Sequence, residues 1–168
     1  MPYIGHLLIV AAGIGLGLHA SHGLFRRVTV LEQVEQVLET LLRQMTYTAL
    51  PMRELWLQMA RNGSLSACSL VADTAMGLKD APFSVAFSAA VEKAARSGTL
   101  RQAEAAVLLA FGRECGQYDL TRQTALIKGC LAQLERLREE ARGQAVARGQ
   151  IYRVMGVAGG AALALLLL

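Results

Sequence analysis

At 168 residues, 54% of them hydrophobic, with a mean hydropathy of +0.36, the chain is more apolar than an ordinary soluble domain. The net charge of +4 is not gathered into a basic patch, and aromatics make up only 5%. Both facts exclude a nucleic-acid binder, which needs clustered cations and often stacking platforms. Cys68, Cys115 and Cys130 form no C-x-x-C pair and are odd in number. That excludes a disulfide framework, fits a reducing compartment and reads the three as small buried hydrophobes.

All 17 Lys and Arg and all 13 Asp and Glu fall within residues 26–153, leaving two charge-free ends. The first, residues 3–25, is long enough to cross a core of ~30 Å as a helix. A cleaved leader would want a basic start and a small-x-small site. Here only Met1 and Pro2 precede the apolar run, and Arg26 and Arg27 follow it, which favours an anchor.

Gly13 and Gly17 form a G-x-x-x-G in this segment, a spacing that lets helices approach closely in lipid. His6, His19 and His22 have no acid or cysteine near them in sequence to complete a metal site, and they read as interfacial polar residues. Gly13 to Gly17 follows no strand and lacks the G-x-G-x-x-G spacing, so it is not a nucleotide loop.

Beyond the anchor, Leu31, Val34, Leu38, Leu41 and Met45 alternate by three and four, which continues the first helix to about Thr48. Pro51 suits the start of a second helix ending near Asn62-Gly63. Ser64 suits the cap of a third, over 65–78. Asp80 and Pro82 begin a fourth, over 82–96, and Ser97-Gly98 stops it. Thr99 to Gln102 fits a capping box that opens a fifth, ending near Cys115-Gly116. Asp119 suits the cap of a sixth, which meets no proline before the chain ends. Ile127, Leu131, Leu134, Arg138, Ala141 and Ala145 share one face of that helix.

The second charge-free end, residues 154–168, rises about 22 Å as a helix, marginal for a crossing. Ile151 and Tyr152 can extend it while Arg153 snorkels. An embedded tail and an apolar hairpin partner within the domain stay open as alternatives. Gly156 and Gly160 repeat the close-approach spacing. Arg26, Arg27, Arg148 and Arg153 flank the two ends on the domain side. The positive-inside rule then places the middle domain in the cytoplasm, against anionic lipid headgroups.

The expected fold is therefore all-α: an antiparallel six-helix bundle with an apolar membrane helix at each end. The expected domains are an N-terminal anchor over 1–25, a cytoplasmic helical domain over 26–150 and a C-terminal membrane segment over 151–168. Short loops make neighbouring helices antiparallel. An even number of helices returns the chain to the membrane that it left.

Residues 26–153 contain no histidine, no G-x-S-x-G and no phosphate loop. Glu139 and Glu140 are adjacent, so on a helix they diverge by about 100° and share no site. No enzyme, cofactor or metal is expected.

Several stretches together resemble the stage III sporulation protein AB family of endospore-forming bacteria. Gly5 to Ala12 with Gly15 and Gly17 resembles its first membrane helix, and Leu41 to Leu55 its aromatic and Pro-containing turn. The most specific stretch is Phe111 to Asp119 followed by Gln123, where the family shows F-G-x-x-L-G-x-x-D-x-x-x-Q. Gly112, Gly116, Asp119 and Gln123 match, and Cys115 stands where the family usually has Leu. Leu134-Glu135 and Tyr152, with the glycine-spaced end, extend the resemblance over nearly the whole chain.

The family's domain is similar to the F-type inner-membrane platform proteins of type II secretion and type IV pilus machines, which are six-helix bundles. The resemblance implies a non-enzymatic scaffold in the channel complex between mother cell and forespore, seated in the mother-cell membrane. Its implied partners are the cytoplasmic sporulation ATPase of the same operon and other membrane subunits of that complex, with a homo-oligomer left open. The four motif residues are implied to be structural or partner-contacting. A small protein that forms or remodels a pore through its glycine-spaced helices is the alternative.

Overall fold

The computed structural model describes residues 2–48, 50–63, 65, 68–116 and 119–166, with the side chains of residues 2–24, 148, 150–153 and 156–166 left out. Among the described residues six α-helices follow one another: α1 Pro2–Tyr47, α2 Met52–Arg61, α3 Ser69–Gly77, α4 Phe83–Arg96, α5 Gln102–Glu114 and α6 Leu120–Leu166. No strand occurs among the described residues. The all-helical class and the number of helices agree with the sequence pattern.

The residues group into two compact units, Thr29–Arg138 and Met1–Val28 with Glu139–Leu168. In the second of these, Val28, Ala141 and Ala145 are buried. Among the described residues no helix is long and apolar enough to cross a membrane. Most of the expected membrane segments, with Gly13, Gly17, Gly156, Gly160, Arg148 and Arg153, lies outside the residues whose side chains are described. So do His6, His19 and His22. Phe25, Val154 and Met155 are described and exposed.

The unit Thr29–Arg138 holds the larger described core. On α1 the predicted stripe Leu31, Val34, Leu38, Leu41 and Met45 is buried, joined by Val37. Such spacing puts one apolar face inward once per turn or so. Helices α2 and α3, α3 and α4, and α4 and α5 pack on one another.

At the centre stand the chain's one tryptophan and three of its four phenylalanines. Trp56 of α2 meets Phe83 and Phe87 of α4 edge-on, with ring centroids 5.2 and 5.5 Å away. Phe83 stacks on Phe87 at 5.4 Å, and Phe87 meets Phe111 of α5 edge-on at 5.6 Å. Each such pair adds about 0.5–1.5 kcal/mol beyond its buried area. The Trp56 indole N–H donates to the Val71 carbonyl at 3.3 Å, so its polar edge is satisfied inside the core.

Helix ends follow local chemistry, with two departures from expectation. Helix α3 begins at Ser69, four residues after the expected start. Leu65 N–H bonds to the Asn62 carbonyl and Cys68 N–H to that of Leu65, turns that delay the helix. Ser64, expected as its cap, lies outside the described residues.

Helix α5 begins at Gln102, and Thr99 does not cap it. The Thr99 N–H is already held by the Ala94 carbonyl at 2.9 Å, and its hydroxyl by Ser97 Oγ at 2.9 Å, so Thr99 belongs to the end of α4. Gly98, at φ +73°, makes that reversal. The start of α5 is held instead by Glu104, whose Oε2 accepts from the Arg101 N–H at 2.6 Å. Glu104 is fully buried, an acid in the first helical turn where the helix dipole favours it.

Candidate functional site

The motif that carries the resemblance is spread around the turn from α5 to α6. Phe111 and Gly112 end the buried face of α5. A β-carbon built on Gly112 would lie 2.6 Å from Phe87 Cδ1 and 3.2 Å from Cε1. No real contact is that short, so the missing side chain is what lets α5 lie against the aromatic cluster.

Gly77 does the same on a smaller scale, where a β-carbon would come within 3.0 Å of Ala86 Cβ. Cys115 then leaves the helix, its N–H bonded to the Phe111 carbonyl at 2.9 Å. Gly116 takes φ +88°, a left-handed conformation that L side chains avoid. A β-carbon there would touch nothing, so its requirement is for conformation and not for space.

Asp119 stands exposed immediately before α6, and its carbonyl accepts from the Gln123 N–H at 3.0 Å. Gln123 is half-buried one turn into the helix. The motif thus joins a close approach, a left-handed turn and a helix start within thirteen residues of sequence, 111–123. Among the described residues of the motif, no polar side chains are seen to converge. Arg26 and Arg27 lie near the middle of α1, with Arg26 exposed and Arg27 half-buried.

Arg138 shares the otherwise apolar face of α6 with Ile127, Leu134 and Ala141. Its Nη1 lies 3.0 Å from Glu35 Oε2 of α1, and its Nη2 lies 4.0 Å from Glu135 Oε1. Glu35 is nearly buried, and its other oxygen, Oε1, has no hydrogen-bond partner. Burial pushes the Glu35 carboxyl above its ordinary value; Arg138 opposes this, while Glu135, Glu39 and Glu32 reinforce it. One charge of each sign on two otherwise apolar stripes was the available clue in the sequence.

The three cysteines are buried and free. Burial raises the Cys68 thiol, and it pushes both Cys115 and Cys130 up to about 12, with Cys130 adding to the rise at Cys115. Thiols so far from ionisation are poor nucleophiles and poor metal ligands. Among the described residues no group of three or more His, Cys, Asp or Glu could hold a metal ion. Glu139 and Glu140 are exposed.

Two surface grooves open on this unit among the described residues. One, of about 590 Å³, runs beside Val85, Ser88 and Glu92 of α4 and Arg113 of α5. The other, of about 500 Å³, lies between the last turns of α1 and the first turns of α6.

Compared with known proteins, the chain matches the profile of "Stage III sporulation protein AB (spore_III_AB)" over residues 2–168. A solved structure described as stage III sporulation protein AB (SpoIIIAB) superposes with a TM-score of 0.60 at 22% sequence identity, covering 72% of this chain and 97% of that one. That likeness supports the fold. No curated protein sequence matches.

Proposed function

The chain belongs to the stage III sporulation protein AB family, and from that premise we propose that it is a non-enzymatic platform subunit of the channel complex between mother cell and forespore. Membership over nearly the whole chain is the observation that carries this reading. Two charge-free ends, each edged by arginine, suit anchoring of the helical domain on the cytoplasmic face of the mother-cell membrane.

An antiparallel bundle is part of the proposal. Glu35 meets Arg138, while residues 42–47 share a groove with residues 120–128. That order of contacts supports opposite directions for α1 and α6. The partner proposed is the cytoplasmic ATPase of the sporulation operon, with other membrane subunits beside it. The ATPase would do the chemistry, and this chain would anchor or transmit.

The test is co-purification of the full chain, solubilised in detergent from sporulating cells. Recovery of the ATPase at constant ratio is expected. Its absence, together with ion conductance by the chain reconstituted alone, would overturn the platform in favour of a pore. Deleting residues 154–168 at normal protein level should also lower spore yield, because both ends are proposed as anchors.

A further inference from the structure

We propose that the groove between the end of α1 and the start of α6 is the docking site for an acidic amphipathic helix of a partner protein. The inference deepens the platform reading and rests on it. Leu42 of α1 and Leu120 of α6 give the groove apolar walls, and Tyr47 stands at its edge. Tyr47 is 87% exposed and Leu120 53%, while Leu50, just after α1, is exposed as well. Tyrosine and arginine are, with tryptophan, the residue types enriched at the energetic centres of protein interfaces. An apolar trough between two helices is the shape that receives the apolar stripe of a third.

Charge selects the occupant. Arg43 and Lys128 line the groove, and among the described residues no carboxylate does. The Arg43 guanidinium reaches the Thr40 hydroxyl at 3.1 Å, and among the described residues neither Arg43 nor Lys128 has an ion-pair partner. Two uncompensated cations beside apolar walls complement a helix with acids flanking its apolar face.

The threonines do not alter that balance. The Thr46 hydroxyl is spent on the Leu42 carbonyl at 2.9 Å, whereas Thr121 and Thr124 add neutral hydroxyls along α6. A lipid surface is the weaker fit. The groove is recessed between two helices, where a headgroup layer would meet a flat basic face.

The test places a photo-crosslinking benzophenone side chain at Thr121 of the full-length protein in sporulating cells. The crosslinked peptide is then mapped by mass spectrometry. The expected product joins Thr121 to a protein segment of helical period bearing Asp or Glu beside its apolar positions. Arg43→Glu with Lys128→Glu should lower the yield roughly tenfold or more, and Lys replacements at the mapped acids should restore it. Arg43→Ala with Lys128→Ala serves if the reversal disturbs folding, as checked by circular dichroism.

A crosslink to lipid, no crosslink, or a yield indifferent to the charge reversal would overturn the proposal. If the ATPase still co-purifies in that case, the platform reading stands and the groove assignment alone falls. A charge-dependent crosslink to an acidic amphipathic segment upholds the groove assignment whichever partner protein bears it.

Discussion

Gly112 and Phe87 fit together because Gly112 has no β-carbon: the atom would sit 2.6 Å from the Phe87 ring. Phe87 has no freedom to retreat, since it is fully buried between Trp56, Phe83 and Phe111. A glycine inside a helix gives up about 1 kcal/mol relative to alanine. The close approach of α5 to α4 explains why it is present.

Gly112→Ala should therefore destabilise the protein. Overpacking a core costs about 1–3 kcal/mol, against about 1 kcal/mol returned by alanine's helix preference. In a Phe87→Leu background the same substitution should become neutral or stabilising, because the obstructing ring is gone. Urea unfolding of the four variants measures the coupling. Equal effects in both backgrounds would mean that the ring is not what Gly112 accommodates.

Gly116 makes a contrasting demand. At φ +88° with open space around it, its replacement meets a backbone penalty and no clash. Gly116→Ala should lose about 1–2 kcal/mol, and Gly116→Asn less, since asparagine tolerates the left-handed region better. The comparison of the two by chemical unfolding settles it: equal losses would point to a role outside conformation.

Much of this fold was legible before any coordinates. The α1 stripe from Leu31 to Met45 and the breaks at Pro51, Pro82 and Gly98 are local signals, and local signals set helix ends. What escaped was tertiary. Nothing near Thr99 says that its N–H is taken by the Ala94 carbonyl, so local sequence points to a cap two residues before Arg101, the position from which α5 begins. The Glu35–Arg138 pair joins residues far apart in sequence, which periodicity alone cannot match. Of the candidate site, the residue identities were readable, but not that Gly112 faces Phe87.

Asp119 separates structural from partner roles. It is exposed at the start of α6, where a carboxylate suits the first free N–H groups. Asp119→Ala should lower stability by about 0.5–2 kcal/mol if it caps the helix, with Asp119→Asn retaining most of it. An unchanged unfolding midpoint with reduced spore yield would assign Asp119 to partner contact.

Glu35 gives stability a pH dependence of predictable sign. Its folded pKa lies above the ordinary 4.5, with burial as the largest cause. The native state thus binds more protons than the unfolded chain between those two values. The stabilising contribution is complete below pH 4.5 and is lost as pH rises through the folded value. Relative to Glu35→Gln, the unaltered protein should gain stability as pH falls from 7 toward 4.5. Arg138→Gln should move the titration to higher pH, since Arg138 is the group favouring the charge and Glu32, Glu39 and Glu135 all oppose it. A pH-independent difference between the unaltered protein and Glu35→Gln would refute the assignment.

The buried cysteines make a topology experiment clean. Cys115 and Cys130 are buried, with burial pushing both thiols up to about 12, so they are poor nucleophiles at pH 8. Cys68 is buried and shifted in the same direction. The unaltered protein should hence react slowly with maleimides until it is unfolded. Lys79 is exposed just after α3, so Lys79→Cys adds one accessible thiol to a silent background. The proposed cytoplasmic placement of the domain predicts no labelling by a membrane-impermeant maleimide in intact cells and rapid labelling once the membrane is opened. Ready labelling from outside would place the domain on the other face. It would also remove the proposed ATPase from reach, because a cytoplasmic partner could not touch it.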